Sequence, residues 1–201
     1  MISPDWTNQF NNNPIEPLLK SNHPAISYLV KRDLLEESVE EISRIWELAE
    51  VRKIIKKQRS EGYRRSNPAN IKKHPAQNYH LLETYRNTNI LINMYGLNRE
   101  HSCIGKAVKF LFSCQTEEGD IRGMIGEHML LYYNGIKDHP RVTEALKWFI
   151  DNQLPTGLWR HSYSKIHKYV ENAKTRELQL WISLAILQMF KTFATVTRER
   201  L

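Results

Sequence analysis

Few residues of this chain have the type and spacing that chemistry needs, and most of them interrupt otherwise apolar helical stretches. Glu127 and His128 break the apolar run 124–133, and His128 shares a helix face with Tyr132 four residues on. His80, Glu83 and Asn87 share another face at spacings of three and four. Arg176 and Glu177 open the last apolar segment. A carboxylate or imidazole buried among apolar side chains has a shifted pKa, which is how proton donors and acceptors for acid–base catalysis are made. The competing reading of the same residues is helix capping, mutual pairing or a solvated rim. They are a candidate lining for a cavity, and the sequence leaves open whether the protein is an enzyme.

The other chemistry in view is electrostatic. The formal net charge is +7, and Arg52, Lys53, Lys56, Lys57, Arg59, Arg64, Arg65, Lys72 and Lys73 fall in one stretch opposed only by Glu61. Arg52, Lys56, Arg59, Arg64 and Arg65 are the candidate anion contacts, suited to a phosphorylated ligand, a nucleic acid or an anionic surface. A solvated helix face followed by a basic loop explains the same run.

These residues must be positioned by helices, because the apolar periodicity is helical almost throughout and the sequence predicts an all-α protein. Helices are expected over 24–36 (with Pro24 in the first turn), 43–59, 77–95 (stopped by Gly96), 101–115, 124–134 (ended by Gly135), 139–152 and 174–197. Residues 1–13 read as a flexible polar tail and 14–201 as one domain, since a chain of 201 residues is long enough for a single substantial core. The start MISPDWTNQFNNNP lacks the basic and apolar regions of a secretory signal, and no apolar run reaches the roughly 20 residues of a membrane span. Together with two cysteines that read as reduced core residues, this predicts a cytoplasmic protein.

The helices fall into two classes. Those that lead to a glutamine carry a charged face, whereas 124–134 and 174–197 are apolar nearly all round and are expected to be covered on every side. Alternating the two classes in hairpins gives an inner layer lining a core or cavity and an outer layer facing water. The junctions repeat: Ala107 and Ala145 stand eight residues before Gln115 and Gln153, Phe110 and Trp148 stand five before, and Gly119 and Gly157 follow, with Trp159 after the second. The glutamines are 38 residues apart, a period typical of two-helix repeats. Gln58, Gly62 and Tyr63 form a worn third copy.

This pattern resembles the prenyltransferase and squalene oxidase repeat, the QW-type motif of terpene cyclases and protein prenyltransferase β-subunits. The stretch His23-Pro24-Ala25-Ile26-Ser27-Tyr28-Leu29-Val30-Lys31-Arg32-Asp33-Leu34-Leu35 is similar to the opening of shorter prokaryotic proteins with that repeat. The resemblance implies a partial or compact α/α toroid, and structural roles for Gln58, Gly62, Gln115, Gly119, Gln153, Gly157 and Trp159 at its corners. It does not bring the catalytic motifs with it. The chain has no Asp-x-Asp-Asp acid, no aspartate-rich magnesium motif and no Asp-x-Cys zinc pair, and His101 and Cys103 lie two apart, where helix neighbours do not face each other. No cofactor and no metal are therefore expected. Three uses stay open: an isoprenoid-like or lipidic ligand held between inner helices, a helical-repeat module binding a protein or a second copy through open toroid faces, and, weakest, a polyanion or nucleic acid on residues 52–73.

Overall fold

The computed structural model describes residues 5–66, 78–115, 140–160 and 171–198. Among them the α-helices are α1 (Ile15–Leu19), α2 (Pro24–Leu29), α3 (Ser43–Trp46), α4 (Ala49–Ile55), α5 (Tyr79–Asn93), α6 (Ser102–Ser113), α7 (Pro140–Asp151) and α8 (Ala173–Arg198), with no strand. The all-α expectation holds for these residues. The expected helix at 124–134 lies outside them. The chain divides into two compact units, residues 1–39 with 130–201 and residues 40–129.

In the first unit α2 starts where the sequence places it. Pro24 occupies the first turn, where its missing N–H has no helical partner to lose, and the His23 imidazole accepts the Ile26 N–H. The helix then widens into a π-turn over Val30–Leu34, with the Leu35 N–H donating to the Val30 carbonyl at 3.0 Å. It stops at Glu36, whose φ of 56° reverses the chain so that the Glu37 N–H reaches the Lys31 carbonyl at 2.9 Å. This places Ala25, Ile26, Leu29, Val30 and Leu34 in the core. Helix α8 contributes Trp181, Leu184, Ile186, Leu187 and Phe190 to the core but leaves Leu178 and Ile182 43% and 39% exposed. The expectation that this helix is covered on every side is corrected: among the described residues its apolar sequence packs on one face and leaves these side chains open.

The segment expected to be a free tail is largely packed as well. Residues Asp5–Gln9 form a 3-10 turn, and Phe10 is buried edge-on to Trp159 (5.5 Å between ring centroids) and Phe190 (4.8 Å). Aromatic rings bury large apolar areas, which is enough to order a segment whose other residues are mostly polar.

In the second unit the single helix expected over 43–59 is broken. Leu48 swings to ψ 144° between α3 and α4, Trp46 packs edge-on against His101 at 5.7 Å, and α4 ends at Ile55 so that the chain can turn. Helix α5 is capped by the Asn78 side chain, which accepts the Leu81 N–H at 3.1 Å. It ends as predicted at Gly96, whose φ of 63° lets the Leu97 N–H return to the Leu91 carbonyl at 2.9 Å. The His101 imidazole caps α6 by accepting the Cys103 N–H at 3.3 Å, so it serves the helix start.

Candidate functional site

Two glutamine corners organise the two units, and their local geometry is nearly the same. After α4, the Gly62 N–H donates to the Arg59 carbonyl (3.0 Å) and the Arg59 N–H to the Tyr63 carbonyl (2.9 Å); after α7, the Gly157 and Leu154 N–H groups bond the Leu154 and Leu158 carbonyls, both at 2.9 Å. Both glycines have positive φ, 94° and 82°. The glutamine amide then staples each turn. Gln58 Nε2 donates to the carbonyls of Gly62 and Cys103, each at 2.9 Å. Gln153 Nε2 donates to those of Gly157 and Asn12, each at 3.0 Å, while its Oε1 accepts the Asn12 N–H at 2.9 Å. One corner is thus tied to the first turn of α6, the other to the N-terminal segment.

The residue six positions after each glutamine completes the corner. The Trp159 N–H donates to the Ser183 hydroxyl (2.9 Å) and its indole Nε1 to the Phe149 carbonyl (2.6 Å). The Arg64 N–H donates to the Thr84 hydroxyl (2.8 Å) and its Nε points to the Ile54 carbonyl (3.5 Å). Each hydroxyl lies on the next described helix, and each carbonyl lies four residues before its glutamine. Arg64 is therefore the counterpart of Trp159, a place that the sequence pattern assigns to Tyr63. Tyr63 instead stacks between His80 (5.0 Å) and Phe110 (5.5 Å).

Arg64 consequently leaves the surface cation set. Its side chain is 2% exposed, reaches the Thr88 hydroxyl only at 3.4 Å through Nη1, and holds Nη2 without a hydrogen-bond partner. Burial pushes the guanidinium below its ordinary value, with nearby Cys103 opposing the shift. Burial likewise pushes the Cys103 thiol up, opposed by Arg64 and then Lys106. The other anion candidates, Arg52, Lys56, Arg59 and Arg65, are exposed, and Arg52 pairs with Glu47.

The remaining predicted residues that the structure describes have partners within their own unit. His80 accepts the Ser66 N–H through Nδ1 at 3.2 Å. Asn87 donates to the Glu83 carbonyl and carboxylate at 2.7 and 3.3 Å, and Arg86 lies 4.0 Å from the same carboxylate. Arg176 pairs with Glu171 at 3.0 Å on the exposed start of α8, where Glu177 lies 3.8 Å from His23. Gln115 is exposed at the end of α6. Gly119, Glu127, His128 and Tyr132 lie outside the described residues. Among the described residues no group of three or more metal-ligating side chains forms, and no helix is long and apolar enough to cross a membrane.

A feature that sequence reasoning missed lies on α8. A cleft of about 320 Å³ is lined by Asp33, Gln188, Lys191 and Thr192. Its polar groups hold one another: Gln188 Nε2 donates to the Asp33 carboxylate at 2.8 Å, and Lys191 Nζ meets the Asp33 carbonyl at 2.6 Å and the Glu36 carboxylate at 2.7 Å. Arg32, beside Asp33 and above the Tyr28 ring, is raised above its ordinary value chiefly by its hydrogen bond to Asp33. The π-turn that presents Asp33 could not be read from apolar spacing, because it is one residue wider than a helix turn.

The exposed apolar positions of the same helix lead into this cleft. Leu178, Ile182 and Ala185 recur at helical spacing, and half-buried Met189 continues the row to Thr192. From Leu178 to Thr192 the row is about 21 Å long at 1.5 Å per residue. In comparisons with known proteins, no family model, no curated protein and no solved structure matches this chain.

Proposed function

We propose that this chain is a helical-hairpin repeat protein of the prenyltransferase and squalene oxidase kind that binds an elongated amphipathic molecule, isoprenoid or acyl, along α8. The observation that carries the reading is the solvent-exposed row of Leu178, Ile182 and Ala185 running into a polar cleft on the same helix. An apolar chain laid on the row would remove its surface from water at about 25 cal/mol per Å². The head group would meet Gln188 and Thr192. Because Lys191 is already held by Glu36 and by a backbone carbonyl, the cleft suits a neutral head such as a hydroxyl better than a diphosphate.

Thermal-shift titration with farnesol and farnesyl diphosphate, read beside native mass spectrometry, tests this. The alcohol is expected to stabilise the protein at least as well as the diphosphate, and Ile182→Lys is expected to abolish the shift. Failure of farnesol to bind, or an unchanged shift in I182K, rejects the reading.

A second reading, a scaffold for protein contacts, is favoured by α6, where Phe112 is 62% exposed and Val108 lies one turn before it on the same face. Light scattering separates the two: a stable dimer lost in Phe112→Glu supports the scaffold.

A further inference from the structure

The segment Trp6–Asn13 is seated on the second corner in the manner of a bound peptide. Phe10 inserts between Trp159 and Phe190, with Trp6 edge-on behind it at 6.2 Å. The side-chain amide of Asn11 donates to the Ile150 carbonyl (3.1 Å) and that of Asn12 to the Leu154 carbonyl (3.4 Å), satisfying acceptors where α7 ends. Gln153 grips the Asn12 backbone at both its N–H and its carbonyl, and Gly157 lies so close that a Cβ there would strike the Asn13 carbonyl.

Two properties of this seat point beyond an intrachain contact. First, the Gln153 grip and the Gly157 approach read backbone, and the matching corner in the other unit uses the same devices on a different sequence: Gln58 takes the Cys103 carbonyl and Gly62 lies against Lys106. Specificity on the second corner comes from one aromatic pocket and two carbonyls. Second, the hydrogen bonds from Asn11 and Asn12 cross 139 to 142 residues of sequence, and Asn13-Pro14 separates the segment from α1, which Asn13 itself starts by accepting the Ile15 N–H at 3.0 Å. Residues 5–12 can leave without unwinding α1, and an identical segment makes identical contacts.

We propose that the corner formed by residues 149–159 and Phe190 is a peptide-binding seat whose occupant exchanges between copies: the Trp6–Asn13 segment of a second copy of this chain takes the place of the chain's own. Segment exchange of this kind re-forms every native contact, so concentration and the competing internal segment set the balance.

The test uses the full-length chain and a fluorescent peptide of sequence DWTNQFNNNP. The wild-type chain binds it weakly, because its own segment competes at high effective concentration. Phe10→Ala weakens the internal competitor and is expected to tighten peptide binding at least about tenfold, since apparent affinity follows the fraction of open seats. Adding Gln153→Ala to that variant returns binding to the wild-type level or below. Circular dichroism checks that each variant is folded, and Phe10→Leu, which keeps an apolar anchor, serves if F10A does not fold. A folded Phe10 variant that binds the peptide no better than wild type, or binding indifferent to Gln153, overturns the proposal. Chains concentrated and then diluted should also yield a slowly dissociating dimer that the free peptide converts to monomer. A dimer that excess peptide leaves intact would likewise overturn it. None of these readouts involves the α8 row, so their failure and the failure of the ligand reading are told apart.

Discussion

The corners after α4 and α7 solve one geometric problem with opposite chemistry at a single position. Both have a glutamine stapling a positive-φ glycine turn, both press that glycine onto a foreign backbone, and both send a backbone N–H to a hydroxyl on the next described helix. At the sixth residue after the glutamine, one unit buries an indole with its N–H satisfied and packed against Phe10. The other buries a cation that, among the described residues, pairs with no carboxylate and has one nitrogen unpartnered. The backbone therefore defines the corner, and the buried side chain is free to vary in kind as long as it can reach the carbonyl behind it.

The largest expected effects come from the glycines, which are also where the corners differ most in consequence. A Cβ on Gly62 would meet the Lys106 carbonyl inside α6, which cannot move without breaking the helix, and the φ of 94° is itself unfavourable for any other residue. Gly62→Ala combines that clash with backbone strain and is expected to cost upwards of about 5 kcal/mol. A Cβ on Gly157 would meet Asn13, and the segment before Asn13 can lift away. Gly157→Ala should therefore lose less global stability by chemical denaturation and show selective loss of amide-exchange protection at Phe10 and Asn12. Equal global losses with the segment still protected would mean that the segment is as much part of the core as α6.

Exchanging the sixth residues gives the next effect, and the two directions should not be symmetrical. Trp159→Arg strands a cation at a fully buried position beside Phe10 and removes an aromatic contact, at an expected cost of about 3–5 kcal/mol. Arg64→Trp places the residue that the other corner already uses beside the Ile54 carbonyl and removes a desolvated charge. Replacing buried ions by apolar groups of similar size is often neutral or stabilising. R64W is expected to stay within about 1 kcal/mol of wild type or to exceed it, as read by urea midpoint. A loss as large as that of W159R would show that the two sites are equivalent in backbone only.

The sequence carried the corners better than their contents, and the reason is physical. Glutamine and a positive-φ glycine have few substitutes at such a turn, so Gln58, Gly62, Gln153 and Gly157 were legible from identity and spacing, as were the starts of α2 and α6 and the stop at Gly96. Arg64 was misread because a cation in a run of cations looks solvated, and the aromatic next to Gly62 looked like the partner of Trp159. Counting six residues from each glutamine would have found it. The seating of Trp6–Asn13, the π-turn at Asp33 and the open face of α8 depend on contacts between segments far apart in sequence, which periodicity within one segment does not encode. Part of the predicted polar set resolves into local pairs, Asn87 with Glu83 and Arg176 with Glu171, because residues about a turn apart reach one another first, whereas His80 and Glu177 meet Ser66 and His23 from distant segments.

The smallest effect separates the corners by pH. Only the first places a titratable thiol beside its sixth residue, and burial raises the Cys103 pKa above its ordinary value. A raised thiol pKa favours the folded state while the thiol is protonated. That contribution is fully present below the unfolded value of about 8.5 and is lost as pH rises through the folded value. Compared with Cys103→Ala, the wild-type chain should hold a constant stability difference up to about pH 8 and lose on the order of 1 kcal/mol of it per pH unit above that range at most. Arg64 opposes the shift by favouring the thiolate, so removing the guanidinium in R64W raises the thiol further; the loss still begins at the unfolded value but continues to higher pH and is larger in total. Urea midpoints of wild type, C103A, R64W and the double variant between pH 7 and 10 measure this. If the loss stops at the same pH and reaches the same size with and without Arg64, the buried guanidinium does not act on the thiol, and its place in the corner is one of shape alone.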